Sequence, residues 1–205
     1  MAFKINGYSG SVSNFSGPSD SYYTAKNRFN TILEQKLGVS STDSQTSTGT
    51  TTTSATKATA AAIASDVTLK SGATAEEINE KLSGTALYGL GGAFADAEKK
   101  YGVNAWFLTG LAIQESGYGT SRIAADKNNL FGFQAYDASP YASAKQFSSE
   151  EEGIDYVAKY LSDQYLSESG KYYNGLSIAD IGKRYATDQN WASAITQLLG
   201  NLVGA

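Results

Sequence analysis

The sequence predicts a mainly α-helical (α+β) domain preceded by a long polar N-terminal region. Two observations support this prediction. After residue 74, apolar side chains recur at helical spacing in several segments, and two of these segments begin with a capping-box pattern. Between residues 40 and 60, Ser and Thr dominate, a composition that cannot compensate for the entropy lost on ordering. We therefore divide the chain into a tail with a docking helix (1–39), a disordered linker (40–73) and a globular domain (74–205).

The amino-acid composition excludes several kinds of chemistry. The 205 residues include no His and no Cys, which removes the usual Ser-His-Asp and Cys-His nucleophile systems and the common zinc sites. We expect neither a metal nor a cofactor, and carboxylates are the main candidates for catalysis. A net charge of −4 argues against a nucleic-acid surface. No apolar run is long enough to span a membrane, and no signal peptide is visible, so we expect either a mature or trimmed chain or export by another route.

The N-terminal region contains one candidate helix. Residues 1–19 are polar and rich in Gly and Ser, which predicts a loose tail. Residues 20–37 place their apolar side chains on one stripe, formed by Tyr22, Phe29, Ile32, Leu33 and Leu37. A single helix cannot bury that face alone, so we expect it to dock on the main domain or on a partner. Residues 61–73 are a transition with at most a weak helix.

The first half of the globular domain predicts three helices. Thr74 to Glu77 forms a capping box that opens a short helix ending near Gly84. A glycine-rich connection leads to a second helix over 93–101. Asn104 then caps a strongly apolar helix over 105–115.

The second half begins with an irregular stretch and ends with three helices. No helical period holds over 117–147, and the partial alternation over 130–136 predicts a small hairpin or a long loop. Ser149 to Glu152 is a second capping box and opens a helix. Ser177 caps a helix that ends at Tyr185. The last helix carries Trp191, Ile195, Leu198, Leu199 and Leu202 on its apolar face.

Glu115 is the strongest candidate for chemistry. It lies seven and four residues after Leu108 and Leu111, so its carboxyl shares their inward-facing stripe. It also occupies the last helical turn, where the helix dipole is negative. Burial and the dipole both disfavour the charged form, so we expect a raised pKa, as a glycosidase acid requires. The alternative is a carboxylate that reaches solvent at a frayed helix end.

Several motifs resemble one family of enzymes. Residues 112–124, Ala-Ile-Gln-Glu-Ser-Gly-Tyr-Gly-Thr-Ser-Arg-Ile-Ala, resemble the helix-and-turn signature of bacterial N-acetylglucosaminidases of glycoside hydrolase family 73. Lys127-Asn-Asn-Leu-Phe-Gly132 follows where that family has its Asn-Leu-Phe/Tyr-Gly segment. The segments 135–137, 147–156 and Tyr185-Ala-Thr-Asp188 with Trp191 also match. The resemblance runs from about Thr74 to the C-terminus.

The resemblance implies a fold, an activity and a general acid. It implies a lysozyme-like domain with a cleft between two lobes, and hydrolysis of the β-1,4 bond after N-acetylglucosamine in peptidoglycan. The implied setting is the bacterial cell wall, where such enzymes act as autolysins. The glutamate of the Glu-Ser-Gly signature, Glu115 here, is the implied general acid.

The second catalytic group stays open, because family members differ over whether a base exists. Asp137 is one candidate, although an Asp in a turn also binds its own backbone. Glu150, Glu151 and Glu152 are others, although first-turn acids commonly serve only the helix. The substrate acetamido group is a further candidate.

The remaining candidates concern substrate binding. The resemblance places Tyr185 near the reacting sugar, where its phenol could bind the acetamido group or orient water; the alternative is a core tyrosine at the helix end. The substrate-binding candidates are the four aromatic residues Tyr118, Phe131, Tyr136 and Trp191 and the amide of Asn129. At least half of such rings are expected to be core, and the alternative for Asn129 is that it caps the loop backbone.

Three alternatives to this function remain. A lytic transglycosylase would use the same fold and acid. A non-catalytic wall-binding or scaffold module would keep only the fold. Residues 1–40 could also dock the enzyme on a flagellar rod or phage tail assembly.

Overall fold

A computed structural model describes residues 57–135 and 139–204. Within these residues the secondary structure is helical and includes no strand, which confirms the predicted mainly α class. The helices are α1 (Ala60–Ser65), α2 (Ala75–Lys81), α3 (Gly91–Tyr101), α4 (Ala105–Ser116), α5 (Arg122–Lys127), α6 (Pro140–Ser143), α7 (Glu150–Leu161), α8 (Ile178–Tyr185) and α9 (Trp191–Val203); a π-helical turn (Ser162–Leu166) continues α7.

The apolar helix α4 forms the centre of the domain. The Asn104 side chain caps it by accepting from the Phe107 N–H over 3.1 Å. Apolar residues occupy nearly its whole circumference, so it must be covered by other helices on several sides. It contacts α3 and α9; α3 also packs against α2 and α7, and α9 against α1 and α8. Helix α4 therefore joins two groups of helices.

The folded domain begins before Thr74, which corrects the linker predicted through residue 73. Ile63 on α1 and Val67 after it are both 0% exposed and belong to the core. The Val67 carbonyl accepts from the Asn104 N–H over 2.8 Å, which ties this segment to the start of α4. The burial of these two apolar side chains compensates for the entropy lost when this segment is ordered. Residues 1–56, with the predicted tail and docking helix, lie outside the described residues.

The stretch after α4 forms a loop with two short helices, α5 and α6, that no helical period predicted. Of the two alternatives for this stretch, the described part is a long loop and has no hairpin strand. The side chain of Asn129 organises the loop: its amide nitrogen donates to the carbonyls of Phe133 and Lys145, and its oxygen accepts from the Phe133 N–H. Tyr136 and Asp137 lie outside the described residues.

The two predicted capping boxes have different outcomes. At α2, the reciprocal hydrogen bonds between Thr74 and Glu77 are both present. At α7, Ser149 accepts from the Glu152 N–H, but the Glu152 carboxylate binds the N–H and O–H of Ser148 instead of the N–H of Ser149. Both helices nevertheless start where the patterns predict. Among the described helices, none combines the length and apolar character needed to cross a membrane.

Candidate active site

A tight turn at the end of α4 places Glu115 at the surface of the core. Gly117 takes the left-handed conformation at φ 59° and ends the helix, as the Glu-Ser-Gly sequence suggests. The Ser116 hydroxyl donates to the Ala112 carbonyl and accepts from the Gly119 N–H over 2.7 Å. The backbone beyond Glu115 is therefore fixed by local hydrogen bonds, and Glu115 is the carboxylate on this last turn.

The start of α9 places Trp191 next to Glu115. The Asp188 side chain accepts a hydrogen bond from the Asn190 N–H over 2.9 Å. The backbone carbonyl of Asp188 accepts another from the Trp191 N–H. This turn begins α9 with the indole directed at α4. The indole N–H donates to Glu115 Oε1 over 2.9 Å. The hydrogen bond joins two residues that are 76 positions apart in the sequence.

Tyr185 lies against this pair as part of an aromatic cluster. Its ring centroid is 4.9 Å from that of Trp191 and 5.8 Å from that of Tyr165 in the π-helical turn. The residue is 1% exposed, and its hydroxyl has no hydrogen-bond partner among the described residues. Burial, followed by the negative charge of Glu115, holds the pKa of Tyr185 well above its usual range. Tyr185 therefore packs against the ring whose N–H binds Glu115.

Glu115 as a residue is half-buried, and protein atoms surround its carboxyl. Burial raises the pKa of Glu115 from 4.5 to about 7, and the hydrogen bond from Trp191 opposes part of that rise. The predicted direction of the shift is therefore confirmed. A carboxyl with a pKa near neutrality exists in both protonation states at physiological pH, which suits a group that donates a proton to a substrate.

The other carboxylate candidates differ in their surroundings. Hydrogen bonds from its own backbone and Ser149 lower the pKa of Glu151, and hydrogen bonds from Ser148 lower that of Glu152, so both serve the start of α7. Glu150 is half-buried, and burial raises its pKa. Among the described residues, no group of three or more acidic side chains converges as a metal site would require.

Most of the predicted sugar-binding residues are used by the fold. Phe131 is fully buried, and both polar atoms of the Asn129 side chain bind the loop backbone, so neither offers a surface to a ligand in this conformation. Tyr118 is nearly buried and has the left-handed φ of 60°. Trp191 lies behind Glu115 and is 3% exposed. The structure thus brings together Glu115, Tyr185 and Trp191.

Gly182 of this cluster gave no signal in the sequence. Tyr165 did, because it lies four residues after Leu161 and continues the apolar face of that helix into the π-helical turn, where it is buried. Gly182 on α8 lies against the Trp191 ring, and a Cβ added there would stand 3.1 Å from Trp191 Cε3. A glycine inside a helix is commonly unfavourable, and its close approach to a ring becomes visible only in three dimensions.

A comparison with family models decides the family. The glucosaminidase model, described as mannosyl-glycoprotein endo-β-N-acetylglucosaminidase, matches residues 91–202, more than half of the chain. The chain belongs to the glucosaminidase family. The matched range begins at α3 and includes Glu115, Tyr185 and Trp191. The predicted resemblance is therefore confirmed, and the domain belongs to a family of glycoside hydrolases.

Curated relatives of the glucosaminidase domain are larger proteins. A putative endo-β-N-acetylglucosaminidase of Streptococcus pneumoniae is 33% identical over 139 residues, which is 65% of this chain and 21% of that protein. A β-N-acetylglucosaminidase of Bacillus subtilis is 31% identical over 60% of this chain and 16% of its own length. A bifunctional autolysin of Staphylococcus epidermidis is 30% identical over 62% of this chain and 11% of its own length. The chain thus spans about a fifth or less of the length of these relatives.

Solved structures share the fold of the glucosaminidase domain. Autolysin E of Staphylococcus aureus is 27% identical, with a TM-score of 0.56 over 68% of this chain and 69% of its own. A catalytic mutant of autolysin E, crystallised with the disaccharide NAG-NAM, matches with the same TM-score at 26% identity, over 68% of this chain and 70% of its own. These similarities confirm the lysozyme-like fold that the sequence motifs implied.

Proposed function

We propose that this protein hydrolyses the β-1,4 bond after N-acetylglucosamine in peptidoglycan, with Glu115 as the general acid. The observation that carries the proposal is the burial of the Glu115 carboxyl, which raises its pKa to about 7 and leaves it substantially protonated at neutral pH. The names of the relatives support the bond type. The autolysin E crystal supports the substrate and the role, because it combines a catalytic glutamate-to-alanine mutant with NAG-NAM.

In the proposed reaction, Glu115 donates its proton to the glycosidic oxygen as the bond between that oxygen and the anomeric carbon breaks. A water molecule attacks the anomeric carbon and gives up its own proton to a base. The products are a strand that ends in reducing N-acetylglucosamine and a strand whose first sugar has a free hydroxyl. Glu115 remains as a carboxylate and regains a proton from solvent, which its partial exposure allows.

The group that activates water is proposed from three of the five candidates named in the sequence analysis. Asp137 is the first, and Glu150 and the substrate acetamido group are the alternatives. Glu150 is supported over Glu151 and Glu152 because the latter two carboxylates are engaged in the helix cap. Tyr185 is proposed to orient the acetamido group or the water, supported by the ring contact of Tyr185 with Trp191 and by its hydroxyl, which has no hydrogen-bond partner among the described residues. Tyr118 and Tyr136 remain proposed sugar contacts.

Product analysis tests this function directly. Purified peptidoglycan digested by the wild-type protein is expected to yield reducing-end N-acetylglucosamine by mass spectrometry, and Glu115→Gln is expected to yield none. Asp137→Asn and Glu150→Gln, measured side by side, identify the base: the one that loses activity holds that role. If both retain activity, the acetamido group is the remaining candidate. Anhydro-N-acetylmuramic ends from the wild type would contradict hydrolysis and indicate a transglycosylase, and full activity of Glu115→Gln would contradict the role of Glu115.

The proposed place of action follows from the proposed substrate. Peptidoglycan lies in the bacterial cell wall, so we propose that the protein acts outside the cytoplasm. Residues 1–40 remain a proposed docking arm for a flagellar rod or phage tail assembly, based only on the apolar stripe in their sequence.

A further inference from the structure

The indole of Trp191 is fixed behind the Glu115 carboxyl by three neighbours. Its N–H donates to Glu115 Oε1 over 2.9 Å. Its ring lies 4.9 Å from that of Tyr185, with 33° between the ring planes, and Gly182 lets the backbone of α8 approach it closely. With only 3% of the residue exposed, the indole contacts the carboxyl and the core instead of solvent.

The chemistry of the indole determines how Glu115 carries its proton. An indole N–H can donate a hydrogen bond but cannot accept one. Glu115 Oε1 must therefore act as the acceptor in both protonation states of the carboxyl. In the protonated state the carbonyl oxygen is the stronger acceptor, so the proton resides on Oε2. Because the carboxyl is planar, fixing Oε1 also fixes the direction in which Oε2 presents its proton.

We propose that Trp191 is a positioning residue that binds Oε1 of Glu115 and thereby directs the proton on Oε2 towards the glycosidic oxygen. The inference rests on the proposed role of Glu115 as general acid. Trp191 also acts during the step, because Oε1 gains negative charge as the proton leaves Oε2. A hydrogen bond to a charged oxygen is stronger than one to a neutral oxygen, so the indole stabilises the carboxylate that proton transfer produces.

The groups that face Glu115 come from different helices and act in opposite directions. Burial against the core raises the pKa of Glu115, and the Trp191 N–H from α9 lowers it. Tyr185, at the end of α8, is the described titratable neighbour whose own pKa rises with the charge on Glu115, so it stays protonated and uncharged at neutral pH. Removal of the indole N–H leaves burial unopposed, and the pKa of Glu115 is then expected to move further up.

Indole NMR tests the contact without any need for activity. The chain has two tryptophans, so a ¹⁵N-labelled sample gives two indole cross-peaks. Trp106→Phe, at the opposite end of α4, assigns the remaining peak to Trp191. We expect this peak to shift with pH with a midpoint of about 7 in the wild type, and to show no such transition in Glu115→Gln. A Trp191 peak that does not titrate would overturn the inference.

Kinetics test the consequence for catalysis. Trp191→Phe keeps an aromatic ring against Tyr185 and removes the donor. We expect kcat to fall roughly 10- to 100-fold, as for the loss of one hydrogen bond to a charged group, with KM unchanged within about twofold. The alkaline limb of the pH profile is expected to move to higher pH.

A β-(3-benzothienyl)alanine at position 191 is the control for packing, because it replaces the N–H by sulfur in a ring of nearly the same shape. The same fall in kcat and the same shift of the pH profile in this variant would exclude a packing effect. An unchanged kcat and pH profile in that variant would overturn the inference.

These outcomes separate the inference from the proposed function. If Glu115→Gln loses activity while the variants at position 191 keep the kcat and pH profile of the wild type, Glu115 remains the proposed general acid and the positioning role of Trp191 is contradicted. A titrating indole in a protein that releases no reducing-end N-acetylglucosamine would confirm the Trp191–Glu115 contact and contradict the hydrolytic function. In that case the proton on Oε2 would have another acceptor, and the inference as stated would fail with the function.

Discussion

At the scale of a single residue, Glu115 as the proposed general acid must meet two requirements that oppose each other. A general acid must hold its proton near neutral pH, which burial achieves, and it must also meet substrate and solvent, which full burial would prevent. A residue that is half-buried as a whole but has a buried carboxyl suits such a role, and the Trp191 hydrogen bond limits the rise of the pKa to about 7. The folded state is therefore less favourable whenever this carboxyl is charged.

The variant Glu115→Gln is expected to be more stable than the wild type at alkaline pH. The pKa of Glu115 is about 7 in the folded protein and 4.5 in its reference state, so the folded protein binds the proton more tightly. The contribution of Glu115 to the free energy of unfolding is therefore fully present below pH 4.5 and is lost as pH rises through about 7. Discounted for partial exposure, the loss is on the order of 2 kcal/mol. Urea denaturation of both proteins at pH 4 and pH 8.5 measures it; an equal difference at the two pH values would contradict the buried, raised-pKa carboxyl.

At the scale of helices, the site depends on the close packing of α8 against the start of α9. Gly182 and Gly200 provide a matched pair of glycines inside helices. A Cβ at Gly182 would stand 3.1 Å from Trp191 Cε3, whereas a Cβ at Gly200 would meet nothing within 4 Å. Both changes to alanine gain helix propensity, worth about 1 kcal/mol. Only the first disturbs the indole.

We therefore expect Gly182→Ala to lower activity several-fold, and Gly200→Ala to raise stability by about 1 kcal/mol with activity unchanged. The displaced indole should also move the Trp191 cross-peak in the first variant and leave it in place in the second. Turnover on peptidoglycan, the denaturation midpoint and the indole spectrum together measure these effects. Equal activity in the two variants would show that the ring tolerates displacement, and would contradict the tight packing of Trp191.

The helices that the sequence predicts well are those whose signals are local. Thr74, Asn104, Ser149 and Ser177 each cap a helix where their pattern places them, because a cap involves residues only three positions apart. The short helix α5 was missed because six residues are too few to show a period. The inward direction of Glu115 and its raised pKa followed from helical spacing.

What the sequence did not predict depends on contacts between distant residues. The Trp191–Glu115 hydrogen bond joins residues 76 positions apart, and nothing in the local pattern distinguishes a tryptophan behind the acid from one that stacks on a sugar. The same limit explains Phe131 and Asn129, whose neighbourhood suggested ligand contacts but whose side chains fill the core and bind the loop backbone. Burial decides between those roles, and burial is a property of the folded chain.

At the scale of the whole molecule, a polar cluster attaches the segment before α2 to the centre of the domain. The Glu98 carboxylate on α3 accepts from the Ser71 N–H over 2.9 Å and from the Ala105 N–H over 2.6 Å. The buried Asn104 side chain donates to the Leu69 carbonyl. Since Ala105 begins the helix that carries Glu115, these contacts connect residues 57–73 mechanically to α4 and, through it, to the site.

Truncation at residue 57 and truncation at residue 74 are therefore expected to have different effects. A chain of residues 57–205 keeps the buried Ile63 and Val67 and should unfold cooperatively with the stability and activity of the full chain. A chain of residues 74–205 loses both side chains, each worth roughly 1.5–3 kcal/mol of burial, together with the partners of Glu98 and Asn104. That loss is comparable with the net stability of a typical domain. Denaturant unfolding followed by circular dichroism compares the two, and Ile63→Ala in the full chain serves as a milder control. Equal denaturation midpoints for both truncations would contradict a domain that begins before Thr74 and would support the predicted linker that extends through residue 73.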